Sequence, residues 1–508
     1  MALNPAWKPL RAALTARAKE APVLMGEQSL WRAGDALAAV EELAARLNGC
    51  HALAVLADNG PAWALAELAA LAADVPHVPL PTFFQGSQLA HVLDTTGADC
   101  LLTDQPERIG ALDRGFAITG RDLGLIRMQR VPLEACAALP SGTAKVSFTS
   151  GSTGAPRGVC LAAQGLADTA AAVASRLADL DLKRHLAVLP LSLLLENVAG
   201  LHAALLSGAE VHLPGLAALG WRGMAGFDPL ALEGRIAQSQ PASLILVPEL
   251  LKAWTLHHAR TGGQAPESLR FVAVGGARVD GSILAQARRQ GIPAYQGYGL
   301  TECGSVVSLN RPGDDGDDCG RPLDHARVSV VDGEVIVATR AFLGYLGSEP
   351  ASADPAGFRP HATGDLGGLG GTGHLALAGR RGNLLVTSWG RNVSPEWIEA
   401  ALLAQSAVQQ AVVGGDARPW LWAVLVPAPG AKADDLAAAV AAANAGLPDY
   451  ARVGGWVSSV PLTFANGMAT GNGRPRRGAV QETHAAALAA LYESIPETPR
   501  KETADVLL

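Results

Sequence analysis

The residues with the clearest chemical content lie between Val146 and Val159, VSFTSGSTGAPRGV. Thr149, Ser150, Gly151, Ser152, Thr153 and Gly154 alternate small hydroxyl side chains with glycine, and Arg157 follows Pro156. Glycine removes the Cβ that keeps a backbone away from a ligand, so N–H groups and hydroxyls can turn toward one anion while arginine adds charge. This predicts a loop that cradles the phosphates of a nucleotide. It is not the Walker loop, because no Gly-Lys-Ser/Thr ends it. The same composition also suits a flexible linker, so other stretches have to decide.

Two of them carry complementary chemistry. AYQGYGLTECG reads as a strand-like segment ending at Gly297, with Tyr298, Thr301 and Glu302 presented on a tight glycine turn. An aromatic ring suits a stacked base, and hydroxyl and carboxylate oxygens are what a hard cation such as Mg²⁺ takes. TGDLGGLGGTGHLALAGRRGNLL places Asp365 in a Thr-Gly-Asp turn, where an ionised carboxylate, acceptor-only, could hold two ribose hydroxyls. Arg380 follows at the end of that β-rich segment.

The elements that must position these residues alternate along the chain. Apolar residues at helical spacing from Trp31 to Leu47 predict an amphipathic helix. HALAVLADNG reads as a buried strand, PAWALAELAALAAD as a helix opened by Pro61, and VPHVPLP, GSQLAHVLDTTGA and CLLTD as strand, helix and strand. After the glycine-rich loop the alternation resumes, through SLILVP, LRFVAVGG and IPAYQGYG, each running into a turn. The expected class is α/β: parallel-rich sheets flanked by helices, with ligands at strand ends. VSVVDGEVIVATR predicts a hairpin at an Asp-Gly turn and so a β-rich subdomain. DDGDD, from Asp314 to Asp318, reads as a solvated acidic loop without EF-hand spacing. Near Gly379 to Gly382 a small α/β pattern restarts, including an Ala-rich helix, a glycine-rich basic stretch and a final helix.

Composition narrows the setting. A chain of 508 residues predicts at least two domains, and 49% hydrophobic against 17% charged residues predicts packed cores. The balance of 40 basic and 47 acidic residues, a formal charge of −7, argues against a nucleic-acid or anionic-membrane partner. The six cysteines lie far apart with no Cys-x-x-Cys pair, which predicts neither a disulfide framework nor a zinc site and fits a reducing cytoplasm. The N-terminal stretch lacks the apolar core of a signal peptide. The apolar run Leu186–Ala209 contains Pro190, Glu196 and Asn197, so a buried helix entered through Pro190 is expected rather than a membrane span.

In order and spacing, FTSGSTGAPRGV, FVAVGGA, YGLTE, TGD, GRRGNLL and NGMATGNGRPRR resemble the AMP-forming acyl-adenylate ligases. These include the acyl-CoA synthetases, firefly luciferase and the adenylation domains of peptide synthetases. The resemblance runs from about Trp31 to the last helix, and HVPLPTFF, LPLSLLLEN and NG-x-x-T look most like the fatty acyl-CoA synthetases. It implies an ATP- and acyl-binding domain over residues 1–379 and a mobile domain over 380–508, hinged near 379–383 at Asn383. It also implies ATP, Mg²⁺ and coenzyme A, or the phosphopantetheine arm of an acyl carrier protein, with a small carboxylic acid as substrate.

Carried over residue by residue, Thr149 to Gly154, with Arg157, would hold the β- and γ-phosphates. Gly275, Gly276, Ala277 and Tyr298, with Gly299 beside it, would flank adenine. Thr301 would touch the α-phosphate, Glu302 would hold Mg²⁺, and Asp365 would bind ribose with help from Arg380. Ser388-Trp389-Gly390 would line the thiol tunnel.

The chain departs from that family in three places. Arg157 and Arg474 stand where lysines are expected, and Arg474 occupies the position that bridges carboxylate and α-phosphate during adenylation. Arginine keeps the charge, but its planar fork cannot occupy the same point-like position. Leu193 stands where many fatty-acid members carry histidine; His185 and His202 nearby read as core, and the leucines around them as core with part of an acyl tunnel. Two alternatives follow: a nucleotide-binding protein with impaired adenylation, or a variant with another second step, such as β-lactone formation.

Overall fold

Short runs of branched and small apolar residues ending at glycine or proline become buried strands. The computed structural model describes residues 4–133, 136–150, 156–222, 226–314, 316–470 and 473–494. Contacts divide the chain into two units, Met1–Arg381 and Gly382–Leu508. In the first unit, Thr143–Ser150, His77–Pro79, Leu53–Leu56 and Cys100–Thr103 pair in parallel at the centre of an eight-stranded sheet. Its flanks are antiparallel, with Pro156–Ala162 and Phe342–Tyr345 on one side. A nine-stranded sheet runs in parallel from Pro22–Met25 to Ala294–Leu300 and is also closed by antiparallel edges. Helices cover these sheets, as the alternation predicts.

The β-rich subdomain is a four-stranded antiparallel sheet of Arg327–Val331, Glu334–Thr339, Arg359–Leu369 and Leu375–Arg380. Its first hairpin turns at Asp332 (φ 49°) and Gly333 (φ 76°), the two positive φ values that a type I′ turn requires.

Helix Pro61–Ala73 starts with its proline at the first turn and is buried almost all round, as suits a helix enclosed by the core. Beside it packs Trp7–Thr15, through Trp7, Leu10 and Leu14. The expected helix from Trp31 begins at Ala33, because Trp31 belongs to the edge strand Leu30–Arg32. Among the described residues, no helix is long and apolar enough to cross a membrane.

The run Leu186–Ala209 differs from expectation. Pro190 opens a turn closed by the Leu193 amide on its carbonyl, and the helix starts beyond it as a π-helix, Leu195–His202. The cause is the buried Glu196 carboxylate, which accepts the Val188 and Leu189 amides (3.1 and 2.9 Å) and so pins the loop before the helix. Gly200 leaves room for that carboxylate, where a Cβ would collide. His185 bonds Glu196 (2.8 Å) and Ser243 (3.0 Å), and His202 lies 3.2 Å from Glu67. Glu67 in turn pairs with Lys145 and Asn197. The two histidines are core residues inside polar networks rather than in an apolar setting.

In the second unit Val408–Gly414 and Val453–Ser458 flank Leu421–Pro427, antiparallel and parallel respectively. Helices Pro395–Leu403 and Ala433–Ala445 pack Ile398, Leu402 and Leu436 into its core. Helix Arg477–Thr483 begins within the glycine-rich basic stretch, and the final helix, Ala485–Ser494, follows. Leu385–Val386 is a two-residue strand paired with Asn392–Val393. All six cysteines are free thiols.

Candidate active site

The glycine-rich stretch sits at the tip of an antiparallel hairpin, Thr143–Ser150 with Pro156–Ala162. Gly151, Ser152, Thr153 and Gly154, and the side chain of Ser150, lie outside the described residues. The neck of the hairpin is defined. Thr149 pairs opposite Arg157, and its Oγ1 donates to the Arg157 carbonyl at 3.5 Å. His91, on helix Gly86–Thr96, hydrogen-bonds the Pro156 carbonyl through Nε2 (3.1 Å) and meets Phe148 edge-on. The Arg157 guanidinium lies over the Tyr345 ring, 3.3 Å from its centroid.

Strand Phe271–Val274 delivers Gly275, whose amide donates to Leu246 (3.1 Å), and then Gly276 at φ +89° and Ala277, both exposed. A Cβ on Gly275 would lie 3.4 Å from Leu195, so the start of the π-helix walls this turn. The next strand does not end at Gly297 as expected. It leaves its parallel partner at Gln296 and continues to Leu300, now antiparallel to Ser305–Leu309, with a bulge at Tyr298/Gly299. Gly299 is required there by packing, because a Cβ would collide with the Ser305 backbone. The turn Thr301–Cys303 follows and presents Thr301 and Glu302; Gly304 (φ 79°) and Ser305 (φ 108°) complete it.

Thr363-Gly364-Asp365 is not a terminal turn but a bulge within the 11-residue strand Arg359–Leu369. While that strand advances from Ala362 to Leu366, its partner moves only from Ile336 to Glu334. Gly364 takes the positive φ this needs (73°), and Thr363 Oγ1 both donates to Val335 (2.7 Å) and accepts the Asp365 amide (3.0 Å). The bulge aims Asp365 at two donors. Oδ2 accepts from Tyr298 Oη at 2.6 Å, and Oδ1 accepts from Arg380 Nε at 3.0 Å. Burial and the Asp365 charge push the Tyr298 phenol well above its ordinary range, which keeps it a donor.

Glu302 is held differently: its Oε1 accepts from Tyr345 Oη at 3.0 Å. Burial and the Glu302 charge push the Tyr345 phenol up to about 12. His361, packed edge-on against Phe342, is held below its ordinary value by burial.

The first unit therefore brings together Tyr298, Asp365 and Arg380, and joins Glu302 to Arg157 through Tyr345. Tyr345 and His91 lie outside the motifs read from the sequence, and Thr363, the first residue of Thr-Gly-Asp, has no role of its own there. The chemistry of the donor set fits a magnesium-nucleotide: Glu302 offers a carboxylate of which, among the described residues, Tyr345 engages one oxygen. Mg²⁺ is usually held by one or two carboxylates plus substrate phosphates.

In the second unit Arg474 is exposed on a tight turn. Its amide donates to Thr470 Oγ1 (3.1 Å), and its carbonyl accepts the Thr470 amide (2.8 Å). Asn383 Nδ2 donates to Glu396 at 2.5 Å, and Trp389 is 77% exposed.

The chain is similar to several known proteins. A 2-succinylbenzoate–CoA ligase of Bacillus velezensis is 28% identical over 306 residues, 54% of this chain and 56% of that protein. A long-chain-fatty-acid–CoA ligase of Mycobacterium bovis is 33% identical over 159 residues, 31% of this chain and 26% of that protein. The chain thus matches about half, or less, of the length of these relatives. In fold it is similar to the o-succinylbenzoate CoA synthetase of Bacillus subtilis solved with its acyl-adenylate intermediate, at TM-score 0.73 and 22% identity over 95% of this chain and 99% of that one. The AMP-binding enzyme model matches residues 11–340, which hold the hairpin neck, the glycine turn and Glu302. Since residues 382–496 also match the C-terminal domain of such enzymes, the chain belongs to the AMP-binding enzyme family.

Proposed function

We propose that the chain activates a fatty acid with ATP and passes the acyl group to a thiol. A substrate carboxylate oxygen attacks the α-phosphorus, pyrophosphate leaves, and an acyl-adenylate forms. The thiol sulfur of coenzyme A, or of a carrier protein's phosphopantetheine, then attacks the acyl carbonyl carbon and AMP leaves. The observation that most supports this is the placement of Tyr298 and Arg380 on the two oxygens of Asp365. That carboxylate is oriented before ligand arrives and retains lone pairs for ribose hydroxyls.

Each remaining residue has a part in this reading. Gly275, Gly276 and Ala277 form the floor for adenine. Thr301 contacts the α-phosphate, while Thr149 to Gly154 and Arg157 hold the β- and γ-phosphates. Glu302 ligates Mg²⁺, which when bound neutralises charge on the triphosphate and pyrophosphate. Arg474 bridges the two anions that must meet. The chain turns about residues 379–383, Ser388 to Gly390 then line the thiol path, and the reaction takes place in the cytoplasm without nucleic acid.

ATP–pyrophosphate exchange with a panel of acids tests the reading. Exchange with fatty acids is expected. Exchange only with aromatic acids such as 2-succinylbenzoate would move the substrate class, and ATP binding without exchange would favour impaired adenylation. Arg474→Ala is expected to slow exchange about tenfold to a hundredfold, the value of one charge-assisted contact of about 1.5–3 kcal/mol. Unchanged exchange would remove Arg474 from the site. Product mass with coenzyme A present distinguishes a thioester from a β-lactone.

A further inference from the structure

Tyr345 has no place in the roles just given, yet it touches both charged groups at the phosphate end of the site. Its strand, Phe342–Tyr345, runs antiparallel to Pro156–Ala162 at the neck of the glycine-rich hairpin. Tyr345 pairs with Val159, and Arg157 lies two residues further along, on the same face. A bulge between Phe342 and Gly344, with Gly344 at φ 127°, re-aims the following side chain. The result is a diagonal contact: the Arg157 guanidinium lies 3.3 Å above the Tyr345 ring centroid. At the other end of the same residue, Oη donates to Glu302 Oε1 at 3.0 Å.

We propose that Tyr345 is a positioning residue for the magnesium-triphosphate. Its hydroxyl fixes the Glu302 carboxylate, and its ring face seats Arg157. This rests on the reading of Glu302 and Arg157 given above. The hydroxyl takes one oxygen of Glu302, and among the described residues the other has no recorded partner that would compete with a metal; carboxylates that ligate metals are commonly oriented by such a partner. The ring accounts for the departure at residue 157. A flat guanidinium stacks on an aromatic face, whereas an ammonium is a compact, strongly hydrated charge. Arginine at 157 is thus matched to tyrosine at 345.

The two ends of Tyr345 can be separated. Tyr345→Phe keeps the ring and removes the hydroxyl; Tyr345→Leu removes both. The measurement is calorimetric binding of ATP to the full chain over a magnesium series, which requires no turnover. Tyr345→Phe is expected to raise the magnesium concentration for half-maximal ATP binding about tenfold, the low end for a lost carboxylate partner, with ATP affinity unchanged at saturating magnesium. Arg157→Lys is expected to weaken ATP binding about threefold in the natural background and not at all in Tyr345→Leu, since the ring is what distinguishes the two cations. An unchanged magnesium requirement in Tyr345→Phe, or an equal Arg157→Lys effect in both backgrounds, overturns the proposal. If the natural protein binds no magnesium-ATP, the nucleotide reading itself fails. If it binds and the variants do not differ, only the role of Tyr345 fails.

Discussion

Two carboxylates face the site from the first unit, Asp365 and Glu302, and the protein treats them differently. Asp365 has both oxygens engaged, by Tyr298 and by Arg380, and sits on a bulge whose own amide is anchored to Thr363. Glu302 rides on the turn Thr301–Cys303, and among the described residues only Tyr345 reaches its carboxylate. The difference matches the roles proposed for them, ribose at Asp365 and magnesium at Glu302. Ribose hydroxyls are neutral and directional, so a carboxylate that receives them gains from fixed lone pairs. A hard cation needs an oxygen with nothing already on it, and it supplies its own attraction. On the proposed roles, two engaged oxygens at one carboxylate and a single partner among the described residues at the other are two solutions to one task, placing a charged nucleotide.

The largest effect that would sharpen this contrast is Asp365→Ala. It strips the acceptor from Tyr298 and Arg380 and removes the proposed ribose contact, so nucleotide affinity should fall about a hundredfold, the value of roughly 3 kcal/mol of charge-assisted hydrogen bonding. Because this carboxylate is not assigned to metal, the loss should be the same for AMP without magnesium. Equal binding by the variant would break the comparison at its rigid end.

Glu302→Gln comes next. It keeps an oxygen that can accept from Tyr345 but loses the charge, so magnesium-dependent ATP binding should weaken about thirtyfold, for roughly 2 kcal/mol. AMP binding without magnesium should not change. A comparable loss for AMP would show that Glu302 acts on the nucleoside and not through the metal.

Much of this contrast was legible in the amino-acid order, and the missing part has a common cause. Asp365 and Glu302 stand out because a carboxylate next to a glycine in TGD, or next to a threonine on a glycine-flanked turn in YGLTE, has a local chemical meaning. So does the Asp-Gly turn at 332–333, whose φ values are set by two residues alone. What could not be read were contacts joining distant segments. Tyr298 meets Asp365 across 67 positions, and Tyr345 meets Glu302 across 43, with no periodicity to announce either pairing. The same holds for Lys145 and Glu67, 78 positions apart, and for the π-helix, whose register answers to the buried carboxylate of Glu196 and the glycine beneath it. Gly299 carries a second demand the sequence did not show: beside the ligand motif it is also needed for strand pairing, since its Cβ would strike the Ser305 backbone.

The smallest effect concerns the two phenols, which report the state of the two carboxylates without any ligand. Each phenol donates to an ionised carboxylate, and burial together with that charge raises both, Tyr345 to about 12 and Tyr298 further. The sign follows from the shift. A folded-state pKa above the unfolded value of 10.0 contributes stability that is fully present below pH 10 and is lost as pH rises through the folded value. Alkaline titration by near-ultraviolet difference absorbance, compared across the natural protein, Tyr298→Phe and Tyr345→Phe, should therefore show Tyr345 ionising near 12 and Tyr298 only later or with unfolding. Removing the Glu302 charge should bring Tyr345 back toward 10, whereas Tyr298 should respond only to Asp365. If Tyr298 ionised first, the doubly engaged carboxylate would not be the tighter holder of its phenol, and the contrast between the two sites would have to be reversed.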